Sequence, residues 1–405
     1  MIVHNDQRSP HPFPQPIQPS SASGDLPPLS LQPHAPASIT SFCPVSDLFQ
    51  FPSVTSLPRL ASAAGDALQR DLTAWSRLRP LALVLPTHAR ELGSPALASI
   101  RQSLAATPWL HHVVIGLDAA SHDHFLLARS LFNDLPCSVE ILWHDNPDAP
   151  PLPPEAISLP HGKGRNLWLC TRAALANPNT FAVAAHDADI TCASPEFLAR
   201  LAWPVLHPDA GFAGTKGWYA RHAASLHGRL FRLLFQPLRL ALAESATQPI
   251  PWLDYLGQFR YALSGEWCLR RSALKHIHFG TGWDAEIRML HAWHSLPDLQ
   301  ICQAELCDAY DHRHHDLAGL GRMASDVAAA IWHAIPSHLQ PDPAAVLARF
   351  HLTSRKALHQ SALVATVNGL QHDPAAEAAA VSAFSAILPH ALSPLSSPPA
   401  LLPPP

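Results

Sequence analysis

Charge is scarce in this chain. Asp, Glu, Lys and Arg together make 14% of its 405 residues, and the formal net charge is −4. A nucleic-acid binder would carry a basic stripe, so this balance argues against that class. No apolar run reaches the ~18–20 residues that span a bilayer. The longest candidate, residues 226–242, is broken by Arg229, Arg232 and Arg239. The opening Met1-Ile2-Val3-His4-Asn5-Asp6 has neither the basic start nor the apolar run of a secretion signal. The 7 cysteines lie at scattered spacings with no Cys-x-x-Cys, which points to reduced thiols and a cytoplasmic location. There is no internal repeat.

Apolar residues and proline are what the chain has in quantity. At 47% hydrophobic it can bury one large core or two small ones. Residues 1–60 are dense in Pro, Ser and Gln, as in Pro10-His11-Pro12-Phe13-Pro14-Gln15-Pro16. Proline lacks a backbone donor and breaks helices, so this segment is expected to be a disordered extension. The tail 392–405, ending Pro403-Pro404-Pro405, reads the same way. The 27 histidines follow a compositional bias and do not each mark function.

Between those ends, strand and helix patterns alternate. Leu81-Ala82-Leu83-Val84-Leu85, ended by Pro86, has the continuous apolar character of a buried parallel strand. Helices are predicted at 95–105, 122–135 and 165–176, and strands at 112–117, 139–143 and 180–185. Such βαβ spacing predicts an α/β fold with a doubly wound, mainly parallel sheet. Ligands bind such sheets beyond the carboxyl ends of the strands, where Pro86, Asp118, Asp187 and Asp189 fall. Further strands are read at 259–262 and 300–306. The second half is more helical, at 222–243, 282–295 and 320–334, with Pro237 expected to kink or end the first. A helical pair follows at 344–367 and 374–387, separated by Asn368-Gly369.

Several short motifs could carry chemistry. His186-Asp187-Ala188-Asp189 sets two carboxylates, one small residue apart, at a strand end, which suits a hard divalent cation, although Asp-x-Asp alone is common. Gly162-Lys163-Gly164-Arg165-Asn166 opens a helix and offers close backbone approach, an anion-attracting helix start and one ammonium. It lacks the spacing of a P-loop. Leu263-Ser264-Gly265-Glu266-Trp267 could let a substrate touch the backbone at Gly265, or be a plain turn. Glu286 lies in the first turn of a helix, where dipole compensation alone would favour it. Trp283, Ile287 and Leu290 form one apolar stripe of core character. Asp308 to Asp316 is dense in His and Asp, fit for a metal ligand or a polar loop. Lys216, Arg221 and Arg229 add cations suited to an anionic partner.

Taken in order, these motifs resemble the retaining GT-A glycosyltransferases of the glucosyl-3-phosphoglycerate synthase family, in its bacterial branch. The likeness runs from about residue 81 to 387, through Lys-Gly-Trp-Tyr-Ala-Arg at 216–221, Gly-Arg at 228–229 and Tyr-Asp-His-Arg-His at 310–314. It implies a GT-A domain at 61–335 and a helical extension at 336–391. It implies a nucleotide-sugar donor, UDP-glucose, a divalent metal ion (Mg²⁺ or Mn²⁺), and a small anionic acceptor such as 3-phosphoglycerate or glycerate. Asp189 and His312 would hold the metal. Pro86, Glu91, Asp118, Lys163 and Asp187 would lie along the donor. Lys216, Arg229, Gly265, Glu266 and His314 would meet the acceptor. Glu286 and Asp187 would serve at the reacting sugar, with front-face attack and retention. Dimer contacts through C-terminal helices also belong to the family pattern.

Two departures stand out. The family's acidic turn after the first strand is here Pro86-Thr87-His88-Ala89-Arg90-Glu91, and the hydroxyl residue two after the Gly-Arg arginine is Phe231. Phe231 cannot hydrogen-bond a phosphate, so 3-phosphoglycerate is expected to bind weakly, or the natural acceptor to differ, with glycerate the candidate. Two other readings compete: a metal-dependent phosphohydrolase using Asp187, Asp189 and the 312–315 histidines, and a non-catalytic binding protein that keeps the fold. The first leaves Gly162-Lys163-Gly164 and 263–267 without a role.

Overall fold

The computed structural model describes residues 53–60, 65–148, 153–157, 159, 161–296, 298–311, 317–394 and 401–405. The strands are β1 (Thr55–Leu57), β2 (Leu81–His88), β3 (His112–Asp118), β4 (Ser138–Trp143), β5 (Ala182–Ala185), β6 (Gly214–Trp218), β7 (Trp267–Arg270), β8 (Phe279–Gly280), β9 (Ile301–Glu305) and β10 (Leu401–Leu402). The helices are α1 (Gly65–Trp75), α2 (Pro95–Ala105), α3 (His122–Phe132), α4 (Pro154–Ile157), α5 (Lys163–Ala176), α6 (Pro195–Leu206), α7 (Gln236–Ser245), α8 (Pro251–Gly257), α9 (Arg271–Leu274), α10 (Ala285–His294), α11 (Leu317–His333), α12 (Pro343–Val367) and α13 (Pro374–Ala391).

Eight strands form one sheet in the order β1-β9-β6-β7-β5-β2-β3-β4. All pairings are parallel except those of β7, which runs against both β5 and β6. Side chains alternate across a strand, so each strand feeds two cores. Leu81, Leu83 and Leu85 pack on one face with Leu97, Ile100, Phe197 and Leu201 from α2 and α6. Ala82 and Val84 face the other side, with Trp168, Leu234, Leu290, Ile331, Phe350 and Phe384. That second layer includes α12 and α13. Among the described residues no helix is long and apolar enough to cross a membrane.

From β2 through β5 the α/β alternation follows the sequence reading; β1, at 55–57, falls inside the segment read as a disordered extension, where its pairing with β9 orders it, and three later readings are also corrected. Residues 259–262, read as a strand, form turns, and the strand begins after the Ser264-Gly265-Glu266 motif instead. Because β7 is antiparallel, its first residues stand beside the carboxyl end of β5, with Trp267 opposite Ala185. The motif therefore reaches the ligand-binding rim from the opposite chain direction. The helix read at 222–243 is not one element. His222 bridges Leu226 in a tight loop, a π-helical stretch runs over Leu230–Phe235, and α7 starts at Gln236. Pro237 has no N–H and crowds the carbonyl four residues back, so the preceding turn widens. The tail, read as disordered from 392, is ordered at residues 401–405. Leu401–Leu402 pairs antiparallel with β8, Leu402 is buried, and Trp168 Nε1 donates to the Pro403 carbonyl at 2.7 Å.

Candidate active site

A cavity of about 500 Å³ opens at the carboxyl rim of the parallel strands. Pro86 and Glu91 reach it from the end of β2, Asp118 from β3, and Asp187 and Asp189 from the loop after β5. Lys163 enters from the first turn of α5, Glu286 and Trp283 from the start of α10, and Gly265 from the approach to β7. Motifs up to about 200 residues apart in sequence thus meet on one wall, as the switch from β2 to its neighbours in a wound sheet provides.

Lys163 is the electrostatic hub. Its Nζ lies 2.9 Å from Asp187 Oδ1 and 2.7 Å from Glu286 Oε1. Burial alone would lower its pKa, but these two carboxylates outweigh burial and hold the ammonium charged, well above the ordinary value. The ammonium is also 5.9 Å from the centre of the Trp283 ring. Ile287 and Leu290, read with Trp283 as one core stripe, are fully buried, whereas Trp283 lines the cavity.

Asp189 is the carboxylate left over. Among the described residues it makes no hydrogen bond or ion pair. Burial first, and the Asp187 charge second, push its carboxyl up to about 7, with Glu91 and Glu266 adding to the effect and Lys163 opposing it. A half-buried acid set among three others is an electrostatic deficit that a divalent cation relieves. The oxygen donor set of Asp187 and Asp189 therefore fits Mg²⁺ or Mn²⁺. His312 and His314, read as metal and acceptor ligands, lie outside the described residues.

Gly265 and Gly164 are glycines for reasons of space. A Cβ on Gly265 would lie 2.6 Å from both Cγ and Oδ1 of Asp187. A Cβ on Gly164 would lie 2.7 Å from the Thr281 carbonyl carbon, so the first turn of α5 rests on the backbone that leads into α10. The close approach read at Gly164 is thus to the protein's own chain.

Two residues read as acceptor contacts stand behind the cavity wall. Glu266 is fully buried; its oxygens accept from Tyr219 (2.6 Å), Ser264 (2.8 Å) and Tyr310 (2.9 Å). Lys216 is fully buried and donates to the Ser264 carbonyl. Burial lowers its ammonium pKa to about 8, despite nearby Glu286 and Glu266. Arg229 does line the cavity. The sequence reading missed the aromatic wall in front of Glu266. Tyr219 and Tyr310 stack with centroids 3.7 Å apart, Tyr261 packs beside Tyr219, and Arg221 Nη1 donates to the Tyr261 hydroxyl at 2.6 Å. Only the Tyr-Ala-Arg and Tyr-Asp-His runs hinted at it. It also missed the contribution of Gln371, His372, Asp373, Ala376 and Glu377 from the α12–α13 connection and the start of α13. Asp118 is held at 2.5 Å by His161 Nδ1.

Sheet order, the antiparallel β7 and a rim bearing Asp-x-Asp beside a charged lysine agree with the GT-A class of glycosyltransferases that the sequence motifs resemble. No protein-family model matches the chain. Curated relatives do. The glucosyl-3-phosphoglycerate synthase of Persephonella marina is 32% identical over 356 residues, 84% of this chain and 88% of the relative. That of Methanococcoides burtonii is 31% identical over 264 residues, 62% of this chain and 64% of the relative. The chain belongs to the glucosyl-3-phosphoglycerate synthase family. The fold is also that of the Mycobacterium tuberculosis glucosyl-3-phosphoglycerate synthase. Its complex with Mn²⁺, UDP-glucose and phosphoglyceric acid has a TM-score of 0.52 and 23% identity, over 70% of this chain and 89% of that one. Its complex with phosphoglyceric acid gives 0.53 and 22%, over 71% and 90%.

Proposed function

We propose that the protein moves glucose from UDP-glucose to a small anionic hydroxy acid of the phosphoglycerate class, with retention and with a divalent metal ion. The observation that carries this reading is the meeting of Asp187, Asp189, Lys163, Glu286 and Gly265 in one cavity at the strand rim. Asp187 and Asp189 are the residues suited to hold the ion, which when bound offsets the charge of the diphosphate leaving group. Lys163 brings a fixed ammonium to the same leaving group. Glu286 holds Lys163 and presents a carboxylate beside the electron-poor sugar carbon. Pro86, Glu91 and Asp118 flank the nucleoside, and Arg229 meets the acceptor's anionic end. Lys216 and Glu266 act from behind, as supports of the Gly265 backbone and the tyrosine wall. The acceptor's proton passes to a departing phosphate oxygen.

Phe231 bears on acceptor choice. Its ring stacks on Phe235 and packs on Tyr261, which lines the cavity, so position 231 itself offers an acceptor no hydroxyl. Glycerate should serve at least as well as 3-phosphoglycerate.

The test is release of UDP from UDP-glucose with Mn²⁺ or Mg²⁺, with each acceptor in turn and with none. Acceptor-stimulated release supports the reading. A protein that binds UDP and metal yet releases nothing with either acceptor would count against it, and a strong preference for 3-phosphoglycerate would count against the role given to Phe231. The reading takes 61–335 as the transferase domain and 336–391 as the helical extension. It includes a homodimer through that extension, supported by the exposed Leu352, Leu363, Val364 and Val367 on α12, and a cytoplasmic location. Sedimentation equilibrium tests the dimer.

A further inference from the structure

The α12–α13 connection has no role in the reading above, yet it forms part of the cavity wall. It is tied to the segment that leads to Arg229. Ser225 and Gln371 form a parallel bridge, and the Gln371 amide donates to the Ala224 carbonyl at 2.9 Å. This seam brings His372 to the same cavity that Ser225, His227 and Arg229 line.

His372 is held in place by a chain of polar contacts. Its Nε2 lies 3.2 Å from Glu377 Oε2. Glu377 is buried, and its other oxygen accepts from Arg232 Nη2 at 2.6 Å. Arg232 is fixed in turn, donating through Nε to the His227 carbonyl at 2.7 Å and through Nη1 to Ser361. A buried carboxylate is costly unless its oxygens are occupied, and here one is taken by a guanidinium and the other by the imidazole. Such a support fixes a ring's tautomer and direction and leaves its second nitrogen for another partner. Asp373 has a different task. Its carboxylate accepts from the Ala376 amide at 3.0 Å and caps α13.

We infer that His372, oriented by Glu377 and Arg232, is a specificity-determining residue that contacts the acceptor's anionic group together with Arg229. The inference rests on the transferase reading and adds the α12–α13 connection to the acceptor side. The donor side is built by β2, β3, β5 and α5, on elements that the connection does not join. The extension thereby becomes part of substrate recognition.

The experiment separates acceptor from donor. KM is measured for glycerate, for 3-phosphoglycerate and for UDP-glucose, with Mn²⁺, in the unmodified protein and in His372→Ala, His372→Gln and Glu377→Gln. His372→Ala should raise the acceptor KM about tenfold, the loss of one polar contact to an anion. The UDP-glucose KM should stay within about twofold. Glu377→Gln, which keeps the shape of the support but not its charge, should raise the acceptor KM less. His372→Gln keeps bulk and polarity and guards against a misfolded alanine variant; it should fall between His372→Ala and the unmodified protein. An acceptor KM unmoved in both His372 variants overturns the inference, as does an equal rise for donor and acceptor. Absence of transfer by the unmodified protein overturns the transferase reading and the inference with it. Transfer with an unmoved acceptor KM overturns the inference alone.

Discussion

Gly265→Ala should disable the enzyme through a single methyl group. The added Cβ would lie 2.6 Å from Asp187 Cγ and Oδ1, whereas ordinary contact begins at 3.4 Å. Asp187 must then retreat by about 1 Å, a displacement that can cost about 100-fold in rate when it shifts a catalytic constellation. The retreat also opens the 2.9 Å pair with Lys163, which shares its charge between Asp187 and Glu286. A 100-fold loss corresponds to about 2.7 kcal/mol of transition-state stabilisation. Overpacking should lower folding stability by roughly 1–3 kcal/mol. The assay is UDP release at saturating donor and acceptor, with a melting curve on the same sample. The decisive control is a double-mutant cycle with Asp187→Ala. If the methyl acts by displacing Asp187, Gly265→Ala should have little further effect once that carboxylate is gone. A folded Gly265→Ala protein within about threefold of full turnover, or losses that multiply in the double variant, would refute the reasoning.

Three further expectations follow from the same geometry. Asp189→Asn keeps the shape but removes the carboxylate charge proposed to meet the cation; kcat/KM should fall at least about 100-fold, and Mn²⁺ should no longer raise the melting temperature in the presence of UDP. Lys216 is charged in both the folded and unfolded chain below pH 8, so its burial cost is present in full there. Between 8 and its ordinary 10.5 the folded chain releases the proton first, and stability rises with pH. That interval corresponds to about 3 kcal/mol. In urea titrations, the stability of Lys216→Met relative to the unmodified protein should therefore decline by about this amount from pH 7 to pH 10.5, and a difference flat with pH would show that Lys216 titrates normally. Leu402→Ala should cost roughly 2–5 kcal/mol because Leu402 is buried beside β8, and an unchanged denaturation midpoint would show that the tail does not pack.

The fold from β2 to β5 was legible because each strand there carries its own signal, whereas the three residues of β1 do not. Leu81–Leu85 is apolar throughout and is buried on both faces, and the run before Asp187 behaves the same way. Pro86, Asp118 and the Asp-x-Asp could be placed at one rim for the same reason, whereas Lys163 and Glu286 joined them only through the family resemblance. What stayed hidden depends on distant pairing. Nothing local in Trp267–Arg270 marks it as antiparallel, since that direction is set by the neighbours β5 and β6. Tyr219, Tyr261 and Tyr310 come from three separate segments and become one wall only through Glu266 and ring stacking. Leu401–Leu402 is too short for any periodicity, and the prolines around it suggested disorder. Lys216 and Glu266 were chosen by charge, and charge alone does not tell a cavity-facing side chain from one that supports the wall.

The sheet order has a consequence for how the chain comes off the ribosome. β1 is among the earliest ordered elements made, yet its partner is β9, with Thr55 opposite Cys302. Roughly 250 residues separate them, so at about 5–20 residues per second β1 waits roughly 12–50 s for its place. Its 3-residue length limits what that wait exposes. The larger hazard is β5. One of its edges is covered by β7, and until residue 267 emerges the strand that leads into Asp187 has no neighbour on that side. A pause in synthesis between 190 and 267 would hold the Asp187–Asp189 loop beside an open sheet edge, so translation speed over that stretch bears on how much of the protein reaches the native state.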